Sequence, residues 1–200
     1  PLIVHVLRRA NEANVGPVLV ACDDRRIADA VAAEGGRAVL TDADLASGSD
    51  RIAQALARHD PDGAHDVVVN LQGDLPTIAP ASLRAALQPL DDPAVEIATI
   101  AAPIREPRER HDPNVVKVAA PFDPDARQAT ARALYFSRCA VPWDGGDANL
   151  PLYHHIGVYA YRRAALARFV ALPPGRLEQR ERLEQLRALE AGMRIDVARV

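Results

Sequence analysis

The sequence predicts an α/β fold with a mostly parallel sheet flanked by helices, and three observations support this prediction. Short apolar runs alternate with amphipathic helices through the first half of the chain, which is the pattern of right-handed βαβ crossovers. The run 67–69 consists of valines without polar alternation, as expected of a strand that is covered on both faces. A length of 200 residues with 48% apolar content is enough for one compact domain with a subsidiary lobe.

Spacing and end signals define the elements of the first half. Apolar residues at helical spacing predict a first helix from Leu2 to about Ala13. Asp24 is placed to cap the second helix, and Gly35 to end it. The predicted elements that follow the first helix are a strand at 17–21, a helix at 25–34, a strand at 37–41, a helix at 47–58 and a strand at 66–71.

The end of the strand at 66–71 is the first place where a site is expected. Its valines give way to the polar residues Asn70, Gln72, Gly73 and Asp74, and ligands in open α/β sheets lie beyond the carboxyl ends of the strands. Gly73 permits close approach of the backbone to a ligand. Asp74 offers the hard oxygen that Mg²⁺ takes together with substrate phosphates. An ordinary strand followed by an Asx-type turn would use the same residues.

The second half is predicted to change in organisation after a helix at 80–88 and an apolar strand at 95–102. The segment 105–114 is charged and contains prolines, and the alternation beyond it favours strands of a mixed or antiparallel lobe. The remaining predicted elements are strands at 115–120, 131–138 and 154–162, a turn at 121–127, a flexible loop at 144–150, helices at 163–171 and 177–191, and a last strand from 194.

Composition and charge exclude several classes of protein. The formal net charge is −3 and Lys117 is the only lysine among 24 basic residues, so the chain has no footprint for nonspecific nucleic-acid binding. Cys22 and Cys139 are too isolated for a disulfide framework or a zinc site, and they predict two buried free thiols in a reducing cytoplasm. No apolar run approaches the roughly 18 residues of a membrane span. A P-loop and a dinucleotide-binding glycine motif are both absent from the sequence.

Two further groups of polar residues are candidates for a site. Ser47, Gly48 and Arg51 lie where a strand leads into a helix, which favours either an anion or base-edge site or a plain helix cap with Arg51 in solvent. His155 and Tyr159 are four residues apart on a predicted strand and therefore share a face. Structural histidines would explain that pair equally well, and further ligands for a metal are not evident in the sequence.

Glu184 and Gln185 are also candidates for a ligand site. They lie between apolar positions of the predicted helix 177–191, where a solvated helix face is the simplest interpretation. A Glu and Gln pair could instead hydrogen-bond a polyhydroxylated ligand.

Nine short stretches, spread over nearly the whole chain, occur in the motif order of a single family. They are PLIVHVL at 1–7, VACDD at 20–24, SGSDR at 47–51, VNLQGDLP at 69–76, DPNVVKV at 112–118, ALYFSR at 133–138, VPWD at 141–144, HIGVYAYR at 155–162 and LEQLR at 183–187. Together they resemble the 3-deoxy-manno-octulosonate cytidylyltransferases, also called CMP-Kdo synthetases.

The resemblance implies an activity and a fold. Enzymes of this family transfer CMP from CTP to the anomeric hydroxyl of the acid sugar 3-deoxy-D-manno-octulosonate (Kdo), with Mg²⁺ and with release of pyrophosphate, for incorporation into bacterial lipopolysaccharide. The implied fold is nucleotide-diphospho-sugar transferase-like, with a dimerisation lobe at about 103–150 and a homodimer as the assembly. A cytoplasmic enzyme with small-molecule substrates, and with neither nucleic acid nor membrane as a partner, is therefore expected.

The resemblance also assigns roles to individual residues. The residues expected around CTP are Ser47, Gly48 and Arg51. The residues expected in catalysis are Gln72 and Asp74, with Asp74 as the metal ligand. The residues expected to bind Kdo are Arg138, His155, Tyr159, Glu184 and Gln185, with Arg138 as the candidate partner of the sugar carboxylate.

The sequence departs from the family pattern at two stretches. The Arg/Ser/Lys-rich triphosphate loop and a Gly-x-Asp-Thr-Pro stretch with the second metal ligand do not occur in these 200 residues, so we expect segments of the single nucleotidyltransferase domain to be missing from them. Two alternatives stay open: a noncatalytic nucleotide-sugar binding or dimerisation module, and a CMP-sialate-type synthetase. The stretches at 155–162 and 183–187 favour the Kdo enzyme over the sialate one.

Overall fold

The structure is a computed structural model that describes residues 1–123, 130–143 and 151–200. Most of the predicted turn at 121–127 and all of the predicted loop at 144–150 lie outside the described residues. Helices alternate with strands along the chain, so the predicted α/β class is confirmed. The chain divides into two compact units, the first formed by Pro1–Arg84 and Tyr161–Val170 and the second by Ala85–Ala160 and Ala171–Val200. The dimerisation lobe at 103–150 stays a prediction.

The first unit contains the elements that the sequence predicts most directly. They are α1 (Leu2–Ala13), β1 (Leu19–Cys22), α2 (Arg25–Ala33), β2 (Arg37–Leu40), α3 (Gly48–His59), β3 (Val67–Asn70), α4 (Pro80–Ala85) and α5 (Arg163–Val170). Strands β1 and β2 pair in parallel, with Leu19 opposite Arg37. The predicted caps are also present, because the Asp24 side chain accepts a hydrogen bond from the Arg26 N–H at the start of α2.

The core of the first unit shows why a glycine pair ends α2. Leu7 of α1, Val20 of β1 and Val31 of α2 are buried together. A Cβ atom at Gly36 would lie 2.6 Å from the Leu7 side chain and 2.9 Å from that of Val31, so only glycine lets the chain pass this close. Gly35 has a φ of 72°, which is the left-handed conformation that glycine adopts without strain.

The second unit is built on strands in the order β6-β9-β4-β8-β5-β7. Its elements are β4 (Ile97–Pro103), β5 (Lys117–Ala119), β6 (Thr130–Arg132), β7 (Tyr135–Ser137), β8 (Tyr153–Arg162, of which the last two residues belong to the first unit), α6 (Arg176–Glu181), α7 (Gln185–Glu190) and β9 (Ile195–Arg199), with 3₁₀ helices at Gln88–Asp91 and Pro107–Arg110. Strands β4 and β9 are parallel, whereas β5–β7, β5–β8 and β6–β9 are antiparallel. The expected mixture of parallel and antiparallel pairing is therefore present.

The predicted strand at 131–138 is in fact two strands. The Ala133 N–H still donates to the Ile195 carbonyl, but the Leu134 N–H donates to the Ala119 carbonyl. The chain therefore changes neighbours from β9 to β5 between these residues. Local alternation cannot reveal a change of partner, since both strands show the same period of two.

The predicted helix at 177–191 is also interrupted. Arg182 has a φ of 54°, and the Leu183 N–H closes the turn on the Glu178 carbonyl at 3.2 Å. Two short helices replace the predicted long one, so Glu184 and Gln185 stand at the beginning of α7 rather than in the middle of a helix. The predicted helix at 80–88 is shorter as well, because it ends at Ala85.

The prediction of two buried thiols is wrong for one of them, because Cys22 is buried whereas Cys139 is exposed.

Within the described ranges, none of the helices combines the length and the apolarity that crossing a bilayer requires.

Candidate active site

Ser47 caps helix α3 in the first unit. Its hydroxyl accepts a hydrogen bond from the Asp50 N–H at 3.2 Å and donates to the Asp50 carboxylate at 2.6 Å. The following residue, Gly48, is the first of the helix and is exposed. The helix therefore begins at an exposed glycine, which leaves room for a ligand near the helix N-terminus.

Arg51 is anchored rather than solvated. Its guanidinium donates to the Thr41 hydroxyl at 2.6 Å and to the Asp23 carboxylate at 2.8 Å, and its side chain is only 21% exposed. The alternative of an Arg51 left in solvent is therefore wrong. These bonds join α3 to the chain just beyond β1 and β2, so Arg51 holds three segments of the first unit in a common geometry.

Gln72 and Gly48 come together although 24 positions separate them in the sequence. A Cβ atom at Gly48 would lie 3.5 Å from both polar atoms of the Gln72 amide. Asn70, the last residue of β3, is 2% exposed and accepts a hydrogen bond from the Gln72 amide nitrogen at 3.1 Å. This bond occupies the amide nitrogen of Gln72 and ties Gln72 to the end of β3. The Asn70 Nδ2 group has no hydrogen-bond partner among the described residues.

Asp74 lies beyond the carboxyl end of β3 and is exposed. Among the described residues, its carboxylate takes part in neither a hydrogen bond nor an ion pair. Clusters of three or more acidic, histidine or cysteine side chains that could hold a metal alone are absent from the described ranges. A single open carboxylate fits Mg²⁺, which is commonly bound through one or two carboxylates together with substrate phosphates and water.

A cavity of about 440 Å³ lies within the first unit. Its polar lining includes Gly48, Arg51 and Gln72, whereas strand residues such as Val20 and Val68 make most of its wall apolar. Phosphate groups need hydrogen-bond donors and positive charge. The polar lining is therefore the part of this cavity that suits an anionic ligand.

The second unit brings His155 and Tyr159 together on one face of β8, as predicted. Their ring centroids are 5.5 Å apart, and Phe136 packs edge-on against His155 at 4.7 Å. Burial, together with the smaller effect of the neighbouring His154, lowers the pKa of His155 to about 3. His155 is therefore a neutral imidazole over the physiological pH range.

A hydrogen-bond chain through Thr99 determines the tautomer of His155. The Thr99 hydroxyl donates to the Val158 carbonyl at 2.7 Å and lies 3.0 Å from Nε2 of His155. Since the hydroxyl proton is used by the carbonyl, Nε2 must carry the imidazole proton and donate to Thr99. Nδ1 then bears the lone pair and is the hydrogen-bond acceptor of the ring.

Arg138 lies at the end of β7 and is held by Glu181. The Arg138 N–H donates to the Glu181 carboxylate at 3.0 Å, and the guanidinium Nε donates to the Glu181 carbonyl at 2.7 Å. The same carboxylate accepts from the Ser137 hydroxyl at 2.9 Å. Arg138 is thus tied to the turn that begins α7.

Two contacts brace the helix pair that carries Glu184 and Gln185. Arg187 forms a nearly buried ion pair with Glu178 at 2.6 Å, and the Glu190 carboxylate accepts from the first N–H groups of α6. Gln185 is buried and Glu184 is half-buried. The interpretation of this pair as a solvated helix face is therefore wrong, because the turn at Arg182 directs α7 into the unit.

Sequence reasoning missed three residues that support the candidate site: Thr99, Lys117 and Glu181. Thr99 and Lys117 did carry a signal, since each is a polar residue inside a run predicted to be a buried strand. A buried polar group needs a partner. Glu181 carried no such signal, because a glutamate on a short amphipathic helix is ordinary.

The chain is similar to known cytidylyltransferases. A family model for cytidylyltransferases matches residues 1–195. A Rhodospirillum centenum protein called 3-deoxy-manno-octulosonate cytidylyltransferase is 63% identical over 198 residues, which cover 99% of this chain and 75% of that protein. A Xanthobacter autotrophicus protein of the same name is 64% identical over 199 residues, again 99% of this chain and 75% of that protein.

A solved structure agrees with these sequence relatives. A CMP:2-keto-3-deoxy-manno-octonic acid synthetase complexed with CTP matches with a TM-score of 0.88 at 39% identity, covering 100% of this chain and 79% of that one. The likeness confirms the predicted fold class.

Proposed function

Because this chain belongs to the family of 3-deoxy-manno-octulosonate cytidylyltransferases, we propose that it transfers CMP from CTP to Kdo and releases pyrophosphate. The observation that carries the proposal is the close approach of Gln72 to Gly48, where an added Cβ atom would lie 3.5 Å from the Gln72 amide. This proximity brings together the start of α3 and the end of β3, the two segments that carry the candidate nucleotide and catalytic residues.

The first unit contains the residues proposed for the nucleotide. The backbone at the exposed Gly48 can come close to the polar edges of a cytosine or a phosphate, since glycine leaves this approach open. Arg51 keeps the α3 start in register with the ends of β1 and β2 through Thr41 and Asp23. Ser47 contributes as the cap at which helix α3 begins.

The reaction asks mainly for positioning and charge neutralisation. The anomeric hydroxyl of Kdo attacks the α-phosphorus, a new P–O bond forms, and the bond to the β-phosphate oxygen breaks as pyrophosphate leaves. In phosphoryl-type transfers of this kind, the protein positions the reactants and stabilises charge, and it does little covalent chemistry itself. A dedicated strong base is therefore not required among Gln72 and its neighbours.

Asp74 is the residue proposed to hold Mg²⁺. Bound there, the ion would neutralise charge on the phosphates and lower the pKa of a coordinated hydroxyl. Asp74 suits this role because its carboxylate is exposed at the end of β3.

The second unit contains the residues proposed for the sugar. The Arg138 guanidinium is a planar donor that matches a carboxylate, as the acid group of Kdo requires. The neutral His155 can accept from a sugar hydroxyl, and a neutral ring avoids placing a buried charge against an uncharged diol. Tyr159, Glu184 and Gln185 add the polar groups that a polyhydroxylated ligand needs.

The proposed assembly is a homodimer. Trp143 is 90% exposed and Leu134 is 62% exposed, both in the second unit. Large apolar side chains that remain in water favour burial against another surface. Both residues lie in the segment 103–150 that the family resemblance assigns to dimerisation.

Pyrophosphate release by the full-length protein tests the proposed reaction. CTP and Mg²⁺ are supplied with either Kdo or N-acetylneuraminate. Release with Kdo alone supports the proposal, whereas release with N-acetylneuraminate alone favours the sialate-type synthetase. If a protein that unfolds cooperatively releases no pyrophosphate with either sugar, the result would favour the noncatalytic binding module.

A further inference from the structure

Lys117 is a fully buried lysine at the beginning of β5. Its side chain is 0% exposed, and its ammonium donates to the Asp112 carbonyl at 2.7 Å and to the Arg138 carbonyl at 3.2 Å. Burial lowers the pKa of this ammonium, and the nearby Asp112 opposes the change. A buried amine is costly unless it is hydrogen-bonded, so packing alone does not account for a lysine at this position.

The hydrogen bonds around Arg138 show what this lysine holds. Lys117 binds the backbone carbonyl of Arg138, while the Glu181 carboxylate binds its N–H. The backbone of Arg138 is thereby fixed at both of its polar groups. Strand β5 lies between β7 and β8, with Lys117 opposite Ser137 on one side and His154 on the other.

The Arg138 side chain is directed by the same segments. Within the described residues, the guanidinium donates to the backbone carbonyls of Glu181, Pro113 and Arg182. Pro113 directly follows Asp112, whose carbonyl Lys117 binds. Carbonyl acceptors orient the guanidinium without cancelling its charge, which leaves Arg138 able to attract a carboxylate.

We propose that Lys117 is a positioning residue for Arg138, and that together with Glu181 it presents the Arg138 guanidinium to the carboxylate of the acid sugar. This assignment rests on the proposed function, because it concerns how the sugar substrate is bound. Lys117 suits the task because its ammonium has three donors. It can therefore bind the 112–113 turn and the end of β7 at once, which a shorter or neutral side chain cannot do.

A double-mutant cycle tests the proposal in the full-length protein. Lys117→Met keeps the length and apolar stem of the side chain but removes its donors, and Arg138→Ala removes the group on which Lys117 acts. We expect Lys117→Met to raise the KM for Kdo about tenfold while the KM for CTP stays within about twofold. We expect the double variant to match Arg138→Ala alone to within about twofold, because the two residues act as one unit.

Asp196→Asn provides the matched control. It removes another buried charge, from the Arg194 ion pair on β9, and we expect it to lower the unfolding temperature without changing the KM for Kdo. Glu181→Gln changes the other residue that holds the Arg138 backbone. If Lys117→Met fails to fold, the KM for Kdo and the double-mutant cycle with Arg138→Ala are measured with Glu181→Gln instead. An unchanged KM for Kdo in folded Lys117→Met would overturn the proposal, as would additive effects in the double variant.

A readout that does not depend on turnover separates this proposal from the proposed function. In ¹⁵N-labelled protein, the Arg138 Nε–H bond to the Glu181 carbonyl should protect that proton from exchange. The protected signal should be present in the parent protein and lost in Lys117→Met. If the parent protein does not use Kdo, the proposed function fails, and this signal still decides whether Lys117 positions Arg138.

Discussion

Thr99 sets the protonation pattern of His155, because its hydroxyl accepts from Nε2 at 3.0 Å while it donates to a backbone carbonyl. The two residues lie on different strands, β4 and β8, and 56 positions separate them in the sequence. Their contact keeps the proton on Nε2 of the buried His155, which leaves Nδ1 as the hydrogen-bond acceptor of the ring. The proposed binding of Kdo by the second unit should therefore depend on Thr99 as well as on His155.

Thr99→Val tests this dependence. The substitution keeps the shape of the side chain but leaves the His155 Nε2–H without its acceptor, which should cost about 1–3 kcal/mol of stability. The KM for Kdo should rise while the KM for CTP stays unchanged. Thr130→Val, at an exposed position of β6, is the matched control and should leave both constants alone. Equal Kdo constants for the two variants would contradict the assigned tautomer.

The low pKa of His155 predicts acid lability. Above pH 6.5 the residue is neutral in both the folded and the unfolded chain. As the pH falls towards the folded-state pKa of about 3, only the unfolded chain binds a proton, so stability is lost. Between pH 7.5 and 5.5 this amounts to about 1.4 kcal/mol.

Chemical denaturation of the parent protein and His155→Gln at the two pH values measures this loss. The His155→Gln variant should lack that part of the pH dependence. His111→Gln, at an exposed position, should keep it. A parent protein and His155→Gln variant with the same pH dependence would show that His155 is not held neutral by the fold.

Asp74→Asn tests the proposed metal ligand. The variant should fold normally, because the Asp74 side chain is exposed, but its turnover should fall by roughly a hundredfold or more, since metal neutralisation of the phosphates contributes several kcal/mol. Titration with Mg²⁺ should show a raised half-saturation concentration. Asp62→Asn removes another exposed carboxylate from the first unit and should behave like the parent. Near-normal turnover of Asp74→Asn would remove Asp74 from the metal site.

Gly48→Ala tests the contact between the start of α3 and Gln72. The new Cβ atom would lie 3.5 Å from the Gln72 amide, which is an ordinary contact, and alanine favours a helix over glycine by about 1 kcal/mol. The variant should therefore be at least as stable as the parent. The KM for CTP should nevertheless rise by about tenfold, because the methyl group blocks close approach of a ligand. An unchanged KM for CTP would place the nucleotide elsewhere.

Trp143→Ser tests the proposed dimer. Removing a side chain that is 90% exposed should not affect the fold of a monomer, but it should weaken an interface that buries it. Sedimentation velocity over a concentration series should show that the variant dimer dissociates at a higher protein concentration than the parent dimer does. Phe122→Ser would not serve as a control because Phe122 packs on Tyr153. Leu2→Ser, at an exposed position of α1 in the first unit, is a suitable control.

The order of the secondary structure was largely predictable from local sequence. Helix α1, the cap at Asp24, the cap at Ser47 and the end of β3 all depend on residues within a few positions of one another. Capping and periodicity act over this range, so spacing was sufficient evidence. The placement of His155 and Tyr159 on one face is likewise a property of a single strand.

The sequence by itself thus determined the α/β class, most of the elements and, through motif order, the family. Only the tertiary structure decided that Arg51 binds Thr41 and Asp23, that the strand at 131–138 changes partners, and that a buried lysine holds Arg138. The reason is physical: these features depend on contacts between residues that are distant in the chain. A buried polar residue shows in the sequence that it needs a partner, but only the packed fold supplies that partner.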